Sequence, residues 1–113
     1  MFDKEYWDEP NTNAGQELLQ GLQNLKMKKD AVLAAELCCR GTDVLLLANH
    51  TPEEAEAFWT AIKDLSYYDG YGGQELFGKV WLSEGIWLER GEYDGSEWWR
   101  IHRYPAFPKA PEN

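Results

Sequence analysis

Apolar residues recur at a helical period through the first half of this chain and at a strand-like period near its end. From Ala14 to about Arg40, Leu18, Leu19, Leu22 and Leu25 fall at i, i+3, i+4 and i+7 intervals, with Gly21 a weak point inside the run. The stretch KMKKD interrupts this stripe, and Val32, Leu33, Glu36 and Leu37 resume it. Asp30 can cap the resumed helix and Gly41 can end it, so two helices or one broken helix are predicted here. The apolar run in GTDVLLLANH is too short to fix a period, and either a buried strand or a connector fits it. The next helix is clearer. Thr51 is an N-cap, Pro52 takes the first helical position, Glu54 completes a capping box, and Ala55, Phe58, Trp59, Ile62 and Leu65 form a buried stripe.

The last third alternates. LFGKVWL, IWLERGEY and SEWWRIHR are rich in aromatic and β-branched residues and are separated by SEG and DG, both hairpin signals. A two-residue turn at Asp94-Gly95 sets Tyr93 opposite Ser96, Gly91 opposite Trp98, Glu89 opposite Arg100, Leu88 opposite Ile101 and Trp87 opposite His102. A three-residue turn at Ser83-Glu84-Gly85 sets Leu82 opposite Ile86, Trp81 opposite Trp87, Val80 opposite Leu88, Lys79 opposite Glu89 and Phe77 opposite Gly91. The two registers agree on their faces. Val80, Leu88 and Ile101, with Trp99, make a core face; the other face carries Trp81-Trp87-His102, Lys79-Glu89-Arg100 and Phe77-Gly91-Trp98. A slip by one residue would scatter both sets.

These patterns predict one α+β domain over residues 1–113, with two or three N-terminal helices packed on a three-stranded antiparallel meander. Its parts are an extended acidic arm (1–13), a helical part (14–66), a Gly/Tyr loop (67–75), the meander (76–104) and a tail (105–113). The loop SYYDGYGGQE lacks the lysine and Ser/Thr of a phosphate-binding loop and reads as a hinge with exposed tyrosines.

Charge narrows the partners. The net charge is −9, from 20 acidic and 11 basic residues, which disfavours nonspecific nucleic-acid binding. It allows as partner a basic protein or a site that normally holds nucleic acid. The alternative is that the acidity only keeps the protein soluble. The chain shows no signal-peptide pattern and no apolar run long enough for a bilayer, so a soluble cytoplasmic protein is expected. Cys38 and Cys39 are adjacent and give no disulfide framework; buried helix-end thiols are expected. His50 and His102 lack metal-ligand spacing, and no cofactor or metal is expected. Glu92 and Glu97 face each other across the last hairpin near Arg90, where they are expected to be solvated rather than catalytic.

The stretch GYGGQELFGKVWLSEGIWLERGEYDGSEWWRIHRYPAFP, Tyr71 to Pro108 in its core, resembles a module of small bacteriophage-encoded accessory proteins, with the pattern L-F-G-x-V-W, then W-L-x-R-G-E-Y-D-G-S-E-W-W. The resemblance covers about a third of the chain and implies a context, not an activity: a short acidic protein that binds and disables a host component such as a CRISPR effector, a restriction system, a polymerase or a nuclease. The resulting expectation is a non-enzymatic inhibitor, an anti-CRISPR or other anti-defence factor, that occludes a basic nucleic-acid-binding surface of a host protein. Phe77, Lys79, Trp81, Trp87, Glu89, Tyr93, Trp98 and Arg100 would line its binding face, with Tyr67, Tyr68 and Tyr71 on the adjoining loop. The alternative is a structural or assembly protein that forms a homodimer through the same aromatic face.

Overall fold

The structure, a computed structural model, describes residues 12–67, 73–93 and 96–103. In chain order these form β1 (Thr12–Asn13), α1 (Ala14–Asn24), β2 (Val32–Cys39), β3 (Thr42–Leu46), α2 (Pro52–Lys63), β4 (Ser66–Tyr67), β5 (Leu76–Leu82), β6 (Ile86–Tyr93) and β7 (Ser96–Arg103). Five strands build one antiparallel sheet in the order β3-β2-β5-β6-β7, and β1 pairs with β4 on its own. The expected three-stranded meander under two or three helices is therefore wrong. The meander is part of a five-stranded sheet, and among the described residues two α-helices accompany seven strands.

The error lies in Val32–Cys39, expected as helix and found as β2. Ala, Glu and Leu are good helix formers, and a register shift between Val32 and Ala34 breaks the alternation that would have marked a strand. Beyond the bulge, Ala35, Leu37 and Cys39 point inward and are buried. Packing on both sides outweighs local propensity here. Gly41 does not stop a helix; with Arg40 (φ 51°) and Gly41 (φ 87°) both left-handed, it makes the two-residue turn between β2 and β3. The cysteines are not helix-end thiols: Cys39 is buried on the inner face, and half-buried Cys38 lies on the outer one.

Both helices are capped by side chains at their N-termini. The Thr51 hydroxyl accepts from the Glu54 N–H at 3.2 Å, and the Thr51 N–H donates to Glu54 Oε1 at 2.9 Å, a complete capping box for α2. Asn13 caps α1 by accepting from the Gln16 N–H at 3.1 Å, while its amide donates to the Lys63 carbonyl at 2.7 Å. One side chain thus fixes the start of α1 to the end of α2. The helices bury Leu18, Leu22, Phe58, Trp59 and Ile62 in the same cluster as Leu37, Val80 and Leu88 of the sheet, so they cover one face of it.

The hairpin registers are as predicted from Trp81-Trp87 to Lys79-Glu89 and from Trp87-His102 to Tyr93-Ser96. Phe77 and Gly91 are not a ladder pair, because β5 and β6 pair only over Lys79–Trp81. At Gly78 the backbone takes φ 142°, and a Cβ there would lie 2.2 Å from the Glu36 carbonyl oxygen. Only glycine permits that close approach of β5 to β2. The Asp94-Gly95 turn, Tyr68, Tyr71, residues 1–11 of the arm and the tail fall outside the described residues. No helix among the described residues is long and apolar enough to cross a membrane.

Candidate functional site

The outer face of the sheet carries no described helix, and it is wider than the meander alone. β2 extends each row by one strand, since Ala34 pairs with Trp81, Glu36 with Lys79 and Cys38 with Phe77. The charged row therefore reads Glu36-Lys79-Glu89-Arg100.

The two ends of this face differ. At one end the rings cover each other: Trp87 stacks on His102 with centroids 4.2 Å apart, and Lys79 Nζ lies 5.6 Å from the Trp87 ring centre. His102 Nε2 is 3.2 Å from Glu89 Oε1, near enough for an ion pair once the imidazole is protonated, although it is not aligned as a hydrogen bond. Trp81, Trp87 and His102 are all half-buried. At the other end Phe77 is 49% exposed, Trp98 42% and Tyr93 77%. Trp98 leans over Gly91, where a Cβ would come within 3.1 Å of its ring. Beside Phe77 a hollow of about 390 Å³ is lined by Glu36, Cys38, Asp43, Leu45 and Gly78 among others. Leu45 on β3 is also exposed. Large apolar side chains held on a rigid sheet lose little conformational freedom on binding, which suits them as anchors for a partner.

The inner face holds a polar cluster that the sequence reading misplaced. Arg90 is buried, and its Nη1 donates to Glu17 Oε2 at 2.9 Å, while its Nη2 donates to the Tyr67 hydroxyl at 2.9 Å and to Glu97 Oε1 at 3.1 Å. The guanidinium lies 4.7 Å from the Trp99 ring centre, a cation–π contact. The Glu97 carboxylate also accepts from the backbone N–H groups of Glu75 (2.7 Å) and Leu76 (3.1 Å). The Tyr67 hydroxyl donates to Glu17 Oε1. One arginine thus joins α1, β4, β6, β7 and the start of β5.

Burial alone would lower the Arg90 pKa, but the hydrogen bond and charge of Glu17, with Tyr67 and Glu97, raise it overall and keep the group charged. Burial, then the bond to Glu17, pushes the Tyr67 phenol far above its ordinary value. Glu97 is accordingly not solvated as expected, while Glu92 opposite it is exposed. A carboxylate engaged by three donors is poorly placed to take a substrate proton. Tyr67 is likewise corrected: it is fully buried beneath Arg90 and cannot meet a partner.

Of the predicted binding residues, Phe77, Lys79, Trp81, Trp87, Glu89, Tyr93, Trp98 and Arg100 share the outer face. Glu36, Cys38 and Leu45 join them and were missed because their segment read as helix or was left ambiguous. Arg90 could have been found. The register that sets Gly91 opposite Trp98 puts Arg90 opposite Trp99 on the core side, where a charge demands buried counter-charges. On the helical side, a hollow of about 590 Å³ is lined by Trp59 among others, with Lys29 Nζ 5.1 Å from that ring's centre. Among the described residues no group of three or more His, Cys, Asp or Glu is placed to hold a metal. Compared with protein families, curated proteins and solved structures, the chain matches none.

Proposed function

We propose that this is a non-enzymatic interaction protein whose outer sheet face binds another protein. The observation that carries the reading is the open end of that face, where Phe77, Trp98 and Tyr93 are exposed beside a hollow on a sheet face that no described helix covers. The resemblance to phage accessory proteins supports a setting inside an infected host and an anti-defence role. The net charge of −9 supports a basic host protein as the eventual target.

The two halves of the expected mechanism fall on different surfaces. The sheet face alternates in charge and is not an acidic mimic of nucleic acid. Glu53, Glu54, Glu56 and Asp64 are exposed on or just after α2, on the helical side. A basic groove would therefore meet α2, and the sheet would meet a surface with apolar pockets.

The test compares capture from host lysate by the full chain, by a Phe77→Asp/Trp98→Ala variant, and by a Glu53→Lys/Glu56→Lys variant. Loss of at least about tenfold of a bound protein, or of self-association, in the first variant supports the sheet face as a protein-binding surface. Unchanged capture and unchanged self-association in that variant would overturn it.

A further inference from the structure

The charged row across the outer face has a symmetry that a mere solubilising ladder does not need. It runs Glu36, Lys79, Glu89, Arg100 from β2 to β7, alternating in sign and even in number. Read backwards, such a row is its own complement. We propose that the occupant of this face is a second copy of the chain, related by a two-fold axis parallel to the strands and passing between β5 and β6. The proposal rests on the reading of this face as a protein-binding surface.

That axis lays β2 over β7 of the second copy and β5 over its β6. Glu36 then meets Arg100 and Lys79 meets Glu89, each contact made twice, as an isologous interface requires. Neighbouring placements fail. An axis over β5 sets Glu36 against Glu89, and one over β6 sets Lys79 against Arg100. An axis along the row itself sets every charge against its own copy. Among these placements, only the one between β5 and β6 pairs all four charges with opposites.

Shape follows the same symmetry. The operation carries Trp98, on edge strand β7, onto Cys38 of the other copy, where the hollow of about 390 Å³ lies between Leu45, Asp43 and Phe77. Gly78 contributes backbone to the lining of that hollow. Trp98, exposed and leaning inward over Gly91, therefore comes beside a cavity of the other copy at both ends of the interface, a setting in which Trp contributes strongly to binding. In the row on the other side of the charges, Trp81 comes over Trp87 and His102 over the small Ala34.

Size sets the strength. Four strands about 4.8 Å apart, with seven or eight residues rising about 3.4 Å each, span roughly 500 Å² of flat area per copy. That is near the low end for specific interfaces, about 1,200 Å² in total. The dimer should dissociate on dilution rather than be permanent.

The test is sedimentation of the full chain over a concentration series, for the natural sequence, for Arg100→Glu, for Glu36→Arg, and for an equal mixture of the two variants, with far-ultraviolet circular dichroism as the fold control. The natural chain should show a concentration-dependent dimer. Each single variant places two like-charge contacts in the dimer and should raise the dissociation constant by at least about tenfold. The mixture should regain dimer, because one variant's Glu36 and Arg100 positions are the reverse of the other's. A natural chain that stays monomeric, as it would with the acidic arm or another protein on the face, overturns the second copy as occupant. So does a dimer that both variants retain, or a mixture no better than its parts. If a monomeric chain still loses captured protein on Phe77→Asp/Trp98→Ala substitution, the face remains a protein-binding surface for a different partner. If it loses nothing, both readings fall.

Discussion

On the inner side of β6 and β7, Arg90 lies between Glu97 and Glu17 and against Trp99; on the outer side of the same strands, Arg100 lies across from Glu89 near Trp98. The residue types are the same, and one step along a strand separates the two settings. What differs is water. Inside, Arg90 and Glu97 have left solvent and Glu17 has largely done so, and the partners that replace water must be present. Outside, the charges remain hydrated and their mutual attraction is weak until another surface excludes the solvent. The inner set is committed to holding the fold, and the outer set is available for recognition.

The sharpest way to break this contrast is to remove one member of each set. Arg90→Met leaves Glu97 and Glu17 without their cation and should cost about 3–5 kcal/mol in chemical denaturation. For a domain of this size that is a large share of a stability of about 5–15 kcal/mol. Adding Glu97→Gln to that variant should restore part of the loss, because a buried unpaired charge is then removed. A loss under about 1 kcal/mol for Arg90→Met would mean that the cluster is hydrated after all. Glu97→Gln alone should cost less, about 1–3 kcal/mol, since the amide oxygen can still accept one of the N–H groups of Glu75 and Leu76.

The cluster also predicts a response to alkali. The Tyr67 pKa is raised in the folded chain, so the folded state holds its proton more tightly than the unfolded state does. That stability is complete below the unfolded value of about 10 and falls as pH rises above it. Cys39, raised chiefly by burial and then by Glu75, acts in the same direction from about pH 8.5. Denaturation midpoints followed from pH 8 upward should therefore decline. Tyr67→Phe should flatten the part above pH 10 and leave the earlier part in place; an identical decline in the variant would remove Tyr67 as its cause. The smallest effect belongs outside. Glu89→Ala should change the stability of the dilute protein by less than about 1 kcal/mol, and a larger loss would show that the ladder is structural rather than spare.

Much of this division could be read from the sequence, and the rest was hidden for identifiable reasons. The turn signals at Ser83-Glu84-Gly85 and Asp94-Gly95 flank strands with strong alternation, so most of the meander pairing followed, and Trp98 and Trp99 separated onto opposite faces. Thr51, Pro52 and Glu54 announced α2 in the same direct way. Val32–Cys39 resisted because its small helix-forming residues carry no strand signature, and the bulge after Val32 disturbs the alternation. Losing that strand hid Glu36 and the hollow at Cys38, and with them the symmetry of the charged row. The Arg90 cluster draws Glu17 and Tyr67 from 73 and 23 residues away, a closeness that no local pattern encodes.

Hydroxyl-radical footprinting of the full chain, read at single residues over a concentration series, tests the recognition role of the outer face most directly. Trp98 and Phe77 should react readily in dilute solution and become protected as concentration rises, while Trp99 and Tyr67 on the inner face stay unchanged. Equal reactivity of Trp98 and Phe77 at every concentration would contradict self-recognition through this face.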